Sequence, residues 1–379
     1  MKDHSLEVHG CHTYDATGAI SPSICLSATF RHPRFGESTG YDYGRVANPT
    51  RESLEKTVAL LERGGRSWAL SSGMAAVQLV FSLLSAGDHV LMSEDLYGGT
   101  VRLAEEVFAD YGITFEYVDV RDLALVGKRM RPETKLVFIE TPSNPMMQIS
   151  DIAALSALAH ENGALLAVDN TFLSPHFQKP LTLGADIVLH SGTKYLCGHN
   201  DVIAGFLVLK DATSAQAKRI ELLAKSAGPN LSALDSWLML RSIKTLGVRV
   251  ERQAENALAI AQWLGTLPEV TEVLYPGLAD HPGYALQQKQ ASGAGGMISF
   301  KVRSAEIAKA ALGRLHLIAF AESLGGVETL LTYPIAQTHA EMPAALLKRT
   351  GLDDKLLRLS VGIEDVEDLK TDLQQALQG

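Results

Sequence analysis

The amino-acid sequence predicts an α/β protein with a large, mostly parallel seven-stranded sheet, helices on both faces, and a smaller C-terminal α/β domain. From about residue 53, short apolar runs of strand length alternate with longer segments of helical length. A helix between two strands is a crossover connection, and crossovers favour parallel pairing with helices on both faces of the sheet.

The seven predicted strands are short runs of apolar and β-branched residues. They are RSWAL (66–70), DHVLM (88–92), TFEYVD (114–119), KLVFIE (135–140), ALLAVD (164–169), DIVLH (186–190) and IAGFLVL (203–209). Segments 74–86, 101–111 and 151–162 between them have the length and spacing of helices. A longer helical region covers 232–267, and two later runs, GGMISFKV and LRLSVGIED, predict strands of the smaller domain.

Three segments follow from this pattern. Residues 1–52 are rich in Gly, Pro, Ser and Thr and show little periodicity, which predicts an extended arm without a core of its own. Such an arm has to pack on another surface, and a neighbouring subunit would provide one. Residues 53–248 form the predicted large domain. Residues 249–379 form the smaller one, and a helix continues across the boundary between them.

The composition is that of an ordinary globular protein, with 46% hydrophobic and 20% charged residues among 379. A net charge of −9 argues against nucleic acid or an anionic membrane surface as a partner. No apolar run is long enough to span a membrane. The three cysteines, Cys11, Cys25 and Cys197, are few and scattered, as in proteins of a reducing compartment. We therefore expect a cytoplasmic protein.

Polar residues follow several of the predicted strands. Asn144 comes after the fourth strand, Asp169 ends the fifth, and Lys194 follows the sixth within HSGTKYLCGH. Taken alone, Asp169 is typical of a helix cap and Lys194 of a surface charge. In a sheet of this kind, however, ligands bind outside the carboxyl ends of the strands. Together these residues predict a binding site at that edge.

The stretch HSGTKYLCGH allows a metal site or a reactive lysine. His190, Cys197 and His199 are possible ligands, but no second pair with ligand spacing appears, so we predict no metal. SSGMAA, by contrast, starts a helix with backbone N–H groups that suit a phosphate. A phosphate cradle, a carboxylate for a pyridine nitrogen and a lysine for a Schiff base match the needs of pyridoxal phosphate.

Eight motifs carry a resemblance to a known family. In order along nearly the whole chain they are YGRVANPTR, SSGMAA, DLYGGT, ETPSNP, VDNTF, HSGTKYLCGH, ESLGGVETL and RLSVGIED. The sequence thereby resembles the pyridoxal-phosphate-dependent transsulfuration enzymes, which include cystathionine γ-synthase and the cystathionine lyases. The resemblance implies the type I fold of pyridoxal-phosphate-dependent transferases, like that of aspartate aminotransferase. It also implies a homo-oligomer, a tetramer built as a dimer of active dimers.

The resemblance further implies which residues bind the cofactor. They are Tyr43, Arg45, Gly73, Met74, Tyr97, Asn144, Asp169, Ser191, Thr193 and Lys194. Lys194 would form the Schiff base and then move protons, and Tyr97 would stack on the ring and assist proton transfer. Asp169 would pair with the ring nitrogen. Tyr43 and Arg45 would reach the phosphate of the neighbouring subunit.

For the substrate, the resemblance implies small amino acids held through their α-carboxylate by Arg358, with help from Asn144 and Ser323. Glu322 stands where γ-acting members carry a glutamate, although a helix cap or a solvated acid is an equally good interpretation. The leading expectation is γ-replacement, in which cysteine (or sulfide) displaces the acyl group of an O-acyl-L-homoserine to give cystathionine. Cystathionine γ-lyase or β-lyase activity is the alternative.

The complete motif set disfavours two further hypotheses, an aminotransferase and a non-catalytic relative on the same fold. The sequence departs from the family pattern at Gly44, Gly192 and Cys197. None of these substitutions removes a reacting group, but they leave the substrate preference open.

Overall fold

The structure, a computed structural model, describes residues 1–11, 17–340 and 342–378. It contains the predicted seven-stranded sheet. The strands are β1 Arg66–Leu70, β2 His89–Ser93, β3 Thr114–Val118, β4 Thr134–Glu140, β5 Leu165–Asp169, β6 Ile187–Ser191 and β7 Gly205–Leu209. Their order in the sheet is β1-β7-β6-β5-β4-β2-β3. Each predicted strand is confirmed to within two residues at either end.

The large sheet is mostly parallel, as predicted. Strand β7 pairs antiparallel with both β1 and β6, whereas the pairs formed by β2, β3, β4, β5 and β6 with one another are parallel. Six strands therefore point the same way, and their carboxyl ends meet at one edge. This edge carries the polar loops that follow the predicted strands.

Helices connect and cover the strands. They are α1 Asp3–His9, α2 Pro49–Leu61, α3 Gly73–Phe81, α4 Gly98–Leu103, α5 Leu123–Arg129, α6 Ile152–Glu161, α7 Ser174–Phe177, α8 Ala215–Ala227, α9 Ala233–Ile243, α10 Leu246–Leu264, α11 Tyr284–Gln290, α12 Ala305–Leu312, α13 Ala344–Thr350 and α14 Val366–Gln378. Across the ranges that the structure describes, every helix is too short or too polar to cross a lipid bilayer.

Successive residues of the central strands pack into two different cores. Val137 and Ile139 of β4 belong to the core that includes residues of α2, α6 and α10, whereas Leu136 and Phe138 belong to the core that includes α3 and α8. Because side chains alternate across a strand, this division places helices on both faces of the sheet. The prediction of a doubly covered sheet is confirmed.

A second sheet lies in the C-terminal part of the chain. Its strands are β8 Val270–Leu274, β9 Met297–Val302, β10 Ala319–Phe320, β11 Leu330–Thr332 and β12 Leu356–Ser360, in the order β10-β11-β12-β9-β8. Leu357 and Leu359 of β12 pack with residues of α10, α12 and α14. Arg358, between them, therefore points to the opposite face of this sheet.

Three elements differ from their predicted form. The helical region predicted over 232–267 is broken between α9 and α10 at Thr245, whose φ of −112° and ψ of 11° are not helical. The helix predicted over 101–111 begins earlier and ends in a π-helical and a 3₁₀ turn. The arm contains α1, which the sequence did not predict. This helix has only seven residues, and only Leu6 and Glu7 are buried, too few to give a helical pattern. Helix α2 begins at Pro49, inside the predicted arm.

Candidate active site

Most of the predicted site residues line one cavity of about 280 Å³ at the carboxyl edge of the large sheet. These eleven are Gly73, Met74, Tyr97, Asn144, Asp169, Ser191, Thr193, Lys194, Glu322, Ser323 and Arg358. The first eight come from the large sheet and its loops, and the last three come from the second sheet, Glu322 and Ser323 from the loop between β10 and β11 and Arg358 from β12. The cavity therefore forms only where the two sheets meet.

The start of helix α3 forms one wall of the cavity. Ser72 caps this helix by accepting a hydrogen bond from the Ala75 N–H at 3.1 Å. The N–H groups of Gly73 and Met74 precede the first intrahelical hydrogen bonds and remain available to a ligand. A Cβ at Gly73 would lie 2.9 Å from Ser191 Cβ, so glycine allows the helix to approach the loop after β6. The result is a cradle suited to an anion.

Lys194 lies in a tight turn after β6. Its backbone N–H donates to Ser191 O at 3.2 Å, and its carbonyl accepts from Gly198 N at 2.7 Å. The ammonium group donates to Ser323 Oγ at 2.7 Å. Burial, helped by the positive charge of Arg358, lowers the pKa of Lys194 from 10.5 to about 8, whereas Glu322 acts in the opposite direction. The amine can therefore exchange its proton near neutral pH.

Gly192, one of the departures from the family pattern, is explained by its surroundings. A Cβ at this position would lie 2.5 Å from Phe206 Cε2, which leaves no room for a side chain. Cys197 is buried, and its thiol donates to Asp201 Oδ1 at 3.1 Å. His199 Nδ1 donates to Cys197 O at 2.7 Å, and His190 has a different partner, so these side chains do not converge on one point.

Asp169 ends strand β5 and faces the cavity. Its Oδ1 accepts from the backbone N–H of Thr171 at 3.0 Å and from the Thr171 hydroxyl at 2.5 Å. The same hydroxyl oxygen accepts from Ser191 N at 2.9 Å and so joins the loops after β5 and β6. Burial raises the pKa of Asp169 in spite of these hydrogen bonds. A cationic group placed against it would keep the carboxylate ionised.

A buried carboxylate supports these loops from the other side of the sheet. Glu62, the residue after α2, is fully buried, and its Oε1 contacts His190 Nε2 at 2.6 Å and accepts from Asn170 Nδ2 at 2.8 Å. Gln178 then donates to Asn170 Oδ1 at 3.0 Å and to Thr141 O at 2.9 Å. One network thus ties together the ends of β4, β5 and β6. We call it the Glu62 network.

Arg358 closes the cavity from the second sheet and is 1% exposed. It donates from Nη1 to Asn144 Oδ1 at 2.8 Å and from Nη2 to Ser323 O at 3.2 Å. Its Nε has no partner within the described chain. Burial lowers the pKa of Arg358 to about 10, so the guanidinium remains charged at neutral pH. It is a fixed cation with a donor to spare for a carboxylate.

Tyr97 stands at the mouth of the cavity, just before α4, and is 40% exposed. Its backbone N–H donates to Glu140 Oε2 at 3.1 Å. A Cβ at Gly99 would lie 2.5 Å from Tyr97 Cε1, so the absence of a side chain at Gly99 leaves room for the Tyr97 ring. Glu140 is a cavity residue that the sequence did not predict, and burial together with the nearby Asp169 raises its pKa well above the usual range.

Tyr43 and Arg45 lie outside the cavity. The Arg45 guanidinium lies 5.5 Å from the centre of the Tyr43 ring and donates from Nη1 to Lys225 O in α8. Asn230 Nδ2 donates to Arg45 O at 2.5 Å. Arg45 is thus held at the surface beside α8 and the loop that follows it. The predicted contact of Tyr43 and Arg45 with the site of a neighbouring subunit stays a prediction.

The comparisons with known proteins identify the family. The model of the family described as "Cys/Met metabolism PLP-dependent enzyme" matches residues 4–378. The chain belongs to this family. The predictions of a pyridoxal-phosphate cofactor, of an enzyme and of the fold class are thereby confirmed.

The similar proteins within the family carry different activities. The chain is 47% identical over all 379 residues to cystathionine γ-lyase of Bacillus subtilis, and each chain is covered in full. It is 47% identical to cystathionine β-lyase of the same organism, with 96% of this chain and 93% of the relative covered. The crystal structure of cystathionine γ-synthase from Xanthomonas oryzae superposes with a TM-score of 0.95 at 41% identity, covering 100% and 98% of the two chains.

The residues of the cavity fit pyridoxal phosphate. Gly73 leaves a cradle that a Cβ would fill, next to free N–H groups and the hydroxyl of Ser191. The carboxylate of Asp169 and the amine of Lys194 face the same space. This donor set matches the phosphate, the ring nitrogen and the aldehyde of the cofactor.

Proposed function

We propose that this enzyme catalyses γ-replacement, in which the sulfur of L-cysteine displaces the acyl group of an O-acyl-L-homoserine to give cystathionine. The observation that carries the proposal is the position of Glu322 at the mouth of the cavity, next to Ser323 and across from Lys194. An exposed carboxylate there attracts the ammonium end of an incoming amino acid. Such a second anchor serves a reaction with two amino-acid substrates, although the distal ammonium of cystathionine could use it as well.

We assign the cofactor to the following residues. Gly73 and Met74 would bind its phosphate through backbone N–H groups, and the hydroxyls of Ser191 and Thr193 would complete this contact. Asp169 would accept a hydrogen bond from the protonated ring nitrogen, and Tyr97 would contact the ring. When bound, pyridoxal phosphate supplies a ring that withdraws electrons from carbon atoms next to the substrate nitrogen.

The first amino acid binds through its α-carboxylate to Arg358, which Asn144 orients from the side at 2.8 Å. Because the guanidinium is buried and held at Nη1 and Nη2, its position changes little when a substrate enters. Asn144 and Arg358 are thus positioning and binding residues for the same carboxylate. The loop that carries Asn144 connects this contact to strand β4.

Lys194 would hold the cofactor through its amine and, once that amine is released, would move protons between substrate carbons. Its Nζ has a pKa of about 8, so at neutral pH it loses and regains a proton at low cost. Ser323 accepts its hydrogen bond at 2.7 Å and holds the amine in place when it is not bonded to the cofactor. Ser323 has a φ of 92°, a conformation that costs energy for a residue other than glycine and that indicates a constrained loop.

A second candidate is γ-elimination of cystathionine. The relative that supports it is the γ-lyase of Bacillus subtilis, which matches along the full length of both chains. Replacement and elimination share the cofactor site and the carboxylate contact. They differ in whether a second amino acid or water completes the reaction, and Glu322 is the residue best placed to influence that choice.

A product assay separates the candidates. We expect cystathionine to form when O-acetyl- or O-succinyl-L-homoserine is supplied with cysteine, at a rate above the consumption of cystathionine supplied alone. If only cystathionine is consumed, release of cysteine identifies a γ-lyase and release of homocysteine a β-lyase.

We expect Glu322→Gln to raise the KM for cysteine up to about fivefold, since an exposed ion pair contributes at most about 1 kcal/mol. Glu367→Gln, on the exposed face of α14, is the matched control.

Covalent attachment provides a separate test of the site. Borohydride treatment of the purified yellow enzyme should fix the cofactor to the peptide that contains Lys194. Attachment to another lysine would contradict the assignment.

We further propose that the enzyme acts in the cytoplasm as a tetramer of two active dimers, in which Tyr43 and Arg45 contact the phosphate in the neighbouring subunit.

A further inference from the structure

Two histidines and two glutamates form a cluster outside the cofactor cavity. His4 and Glu7 come from α1, His176 from α7 and Glu251 from α10. Within residues 1–11, 17–340 and 342–378, His4, Glu7 and His176 are the group of His, Cys, Asp and Glu side chains whose ligand atoms lie within 4.8 Å of one another. We call these four residues the α1 cluster.

Glu7 lies on the Nδ1 side of both imidazole rings and is 3% exposed. Its Oε1 is 2.7 Å from His176 Nδ1, and its Oε2 is 3.8 Å from His4 Nδ1. The Oε2 also accepts a hydrogen bond from Gly247 N at 3.1 Å, which fixes the carboxylate to the start of α10. A carboxylate that accepts a hydrogen bond from histidine Nδ1, as Glu7 can from His176, orients the ring and leaves Nε2 free to bind a metal.

Glu251 lies on the Nε2 side of the same rings. Its Oε1 is 3.3 Å from His4 Nε2 and 3.4 Å from His176 Nε2. Two ligand atoms bound to one tetrahedral ion at ~2.0–2.2 Å are separated by roughly 3.3–3.5 Å. Both distances to Glu251 fall in this range. Each of these two distances is longer than an ordinary hydrogen bond and suits a pair of ligands on a common ion. The group whose ligand atoms lie within 4.8 Å of one another contains Glu7 rather than Glu251, so the exposed His4 and Glu251 side chains would have to move for all three ligands to reach one ion.

We propose that the α1 cluster binds a divalent transition-metal ion such as Zn²⁺. His4 Nε2, His176 Nε2 and a carboxylate oxygen of Glu251 are the ligands, and Glu7 is the outer carboxylate that orients His176. Imidazole and carboxylate groups together are typical ligands of zinc. His4 and Glu251 are 59% and 46% exposed, so their side chains can adjust to the ion and a water molecule can complete its coordination.

The surrounding charges permit a cation at this place. Lys179 Nζ lies 2.9 Å from Asp3 Oδ2, and Arg63 pairs with the other oxygen of Asp3. These two positive side chains are therefore engaged by Asp3, while Glu7 and Glu251 remain for the ion and its histidines. Because the ligands come from α1, α7 and α10, the ion would join the N-terminal segment to the rest of the chain.

The test is titration of the holoenzyme with Zn²⁺ after treatment with a chelator. We expect one ion per chain by calorimetry and a rise in Tm, because an ion that binds only the folded state stabilises it. His4→Ala and His176→Ala should each abolish stoichiometric binding. Glu7→Gln should weaken it by about 10- to 100-fold, the usual effect of removing an outer carboxylate. His160→Ala, at an exposed histidine that pairs with Asp186, should leave it unchanged.

Two outcomes would overturn the proposal. One is the absence of stoichiometric Zn²⁺ binding to the wild-type enzyme, in which case the α1 cluster is an ion-pair network alone. The other is binding that persists in a variant lacking both His4 and His176, since the ion would then be held elsewhere. If His176→Ala fails to fold, His4→Ala and Glu251→Gln, both at exposed positions, decide the question. The cofactor absorbance serves as the control for an intact active site.

Discussion

At the scale of single residues, the chemistry of the site depends on how far burial and nearby charges shift the pKa of its ionisable groups. Lys194 is partly buried and faces the fully buried cation Arg358, and both effects disfavour its ammonium form. Glu322 is the opposing charge. Burial and the charges of Arg358 and Glu322 therefore set the proton affinity of the Lys194 amine. Lys194 follows a strand of the large sheet, whereas Arg358 belongs to the second sheet.

This arrangement predicts the pH dependence of Lys194 in the cofactor-free protein. Labelling with an amine-acylating reagent, followed by mass spectrometry, should reach half of its maximal rate near pH 8, because the neutral amine is the reactive form. In urea the midpoint should move up towards the ordinary value of 10.5. Glu322→Gln should lower the midpoint further, since it removes the charge that stabilises the ammonium. An unchanged midpoint on unfolding would refute the effect of burial.

At the scale of elements, close approach between helix α3 and the loop after β6 creates the anion cradle. Gly73 allows that approach because Ser191 occupies the space that a side chain would need. A helix N-terminus alone is common in α/β proteins. What distinguishes this one is the loop after β6, which adds the Ser191 hydroxyl to the free N–H groups, whereas the Thr193 hydroxyl donates to Ala204 O at 3.2 Å.

We predict that Gly73→Ala weakens cofactor binding by at least about tenfold, because a Cβ at 2.9 Å from Ser191 Cβ pushes the helix and the loop apart. The measurement is the dissociation constant of pyridoxal phosphate for the cofactor-free protein. Gly127→Ala in α5 is the matched control, since its nearest neighbour is Leu158 Cδ1 at 3.8 Å. That change should leave binding unaltered and stabilise the helix by about 0.5–1 kcal/mol. Equal affinities of the two variants for the cofactor would argue against the cradle.

The Glu62 network also acts between elements, since it joins the ends of three strands that carry site residues. We predict that Glu62→Ala lowers the free energy of unfolding by about 3–5 kcal/mol, because His190 and Asn170 lose a buried partner. Urea denaturation measures this loss. Glu255→Ala is the control. Glu255 pairs with Arg252 at the surface, and its removal should cost about 1 kcal/mol or less. Similar losses in both variants would contradict a special role for Glu62.

At the scale of the whole molecule, the proposed active unit is a dimer, because Tyr43 and Arg45 lie outside the cavity of their own chain. Co-expression of Arg45→Ala with Lys194→Ala tests this arrangement. In a mixed dimer one site receives Lys194 from one chain and Arg45 from the other, while the second site lacks both. We expect random mixing to restore about a quarter of wild-type activity. Purified mixed dimers without activity would mean that Arg45 serves its own chain.

Much of the site could be predicted from the sequence because its residues are local in the chain. Lys194, Asp169 and Asn144 each follow or end an apolar strand, and parallel strands deliver their ends to one edge. Glu62 and Glu140 escaped prediction for the opposite reason. A glutamate at the end of a helix or strand is usually a surface charge, and nothing local shows that a sheet will bury it.

The sequence by itself determined the strands, their mostly parallel arrangement and the family motifs, since these depend on periodicity and on short segments. Only the tertiary structure decided which residues meet across long distances. Arg358 reaches Asn144 from the second sheet, and His4 reaches His176 from the N-terminal helix. Such contacts depend on how helices and sheets pack against one another, and packing is a property of the whole folded chain rather than of any local pattern.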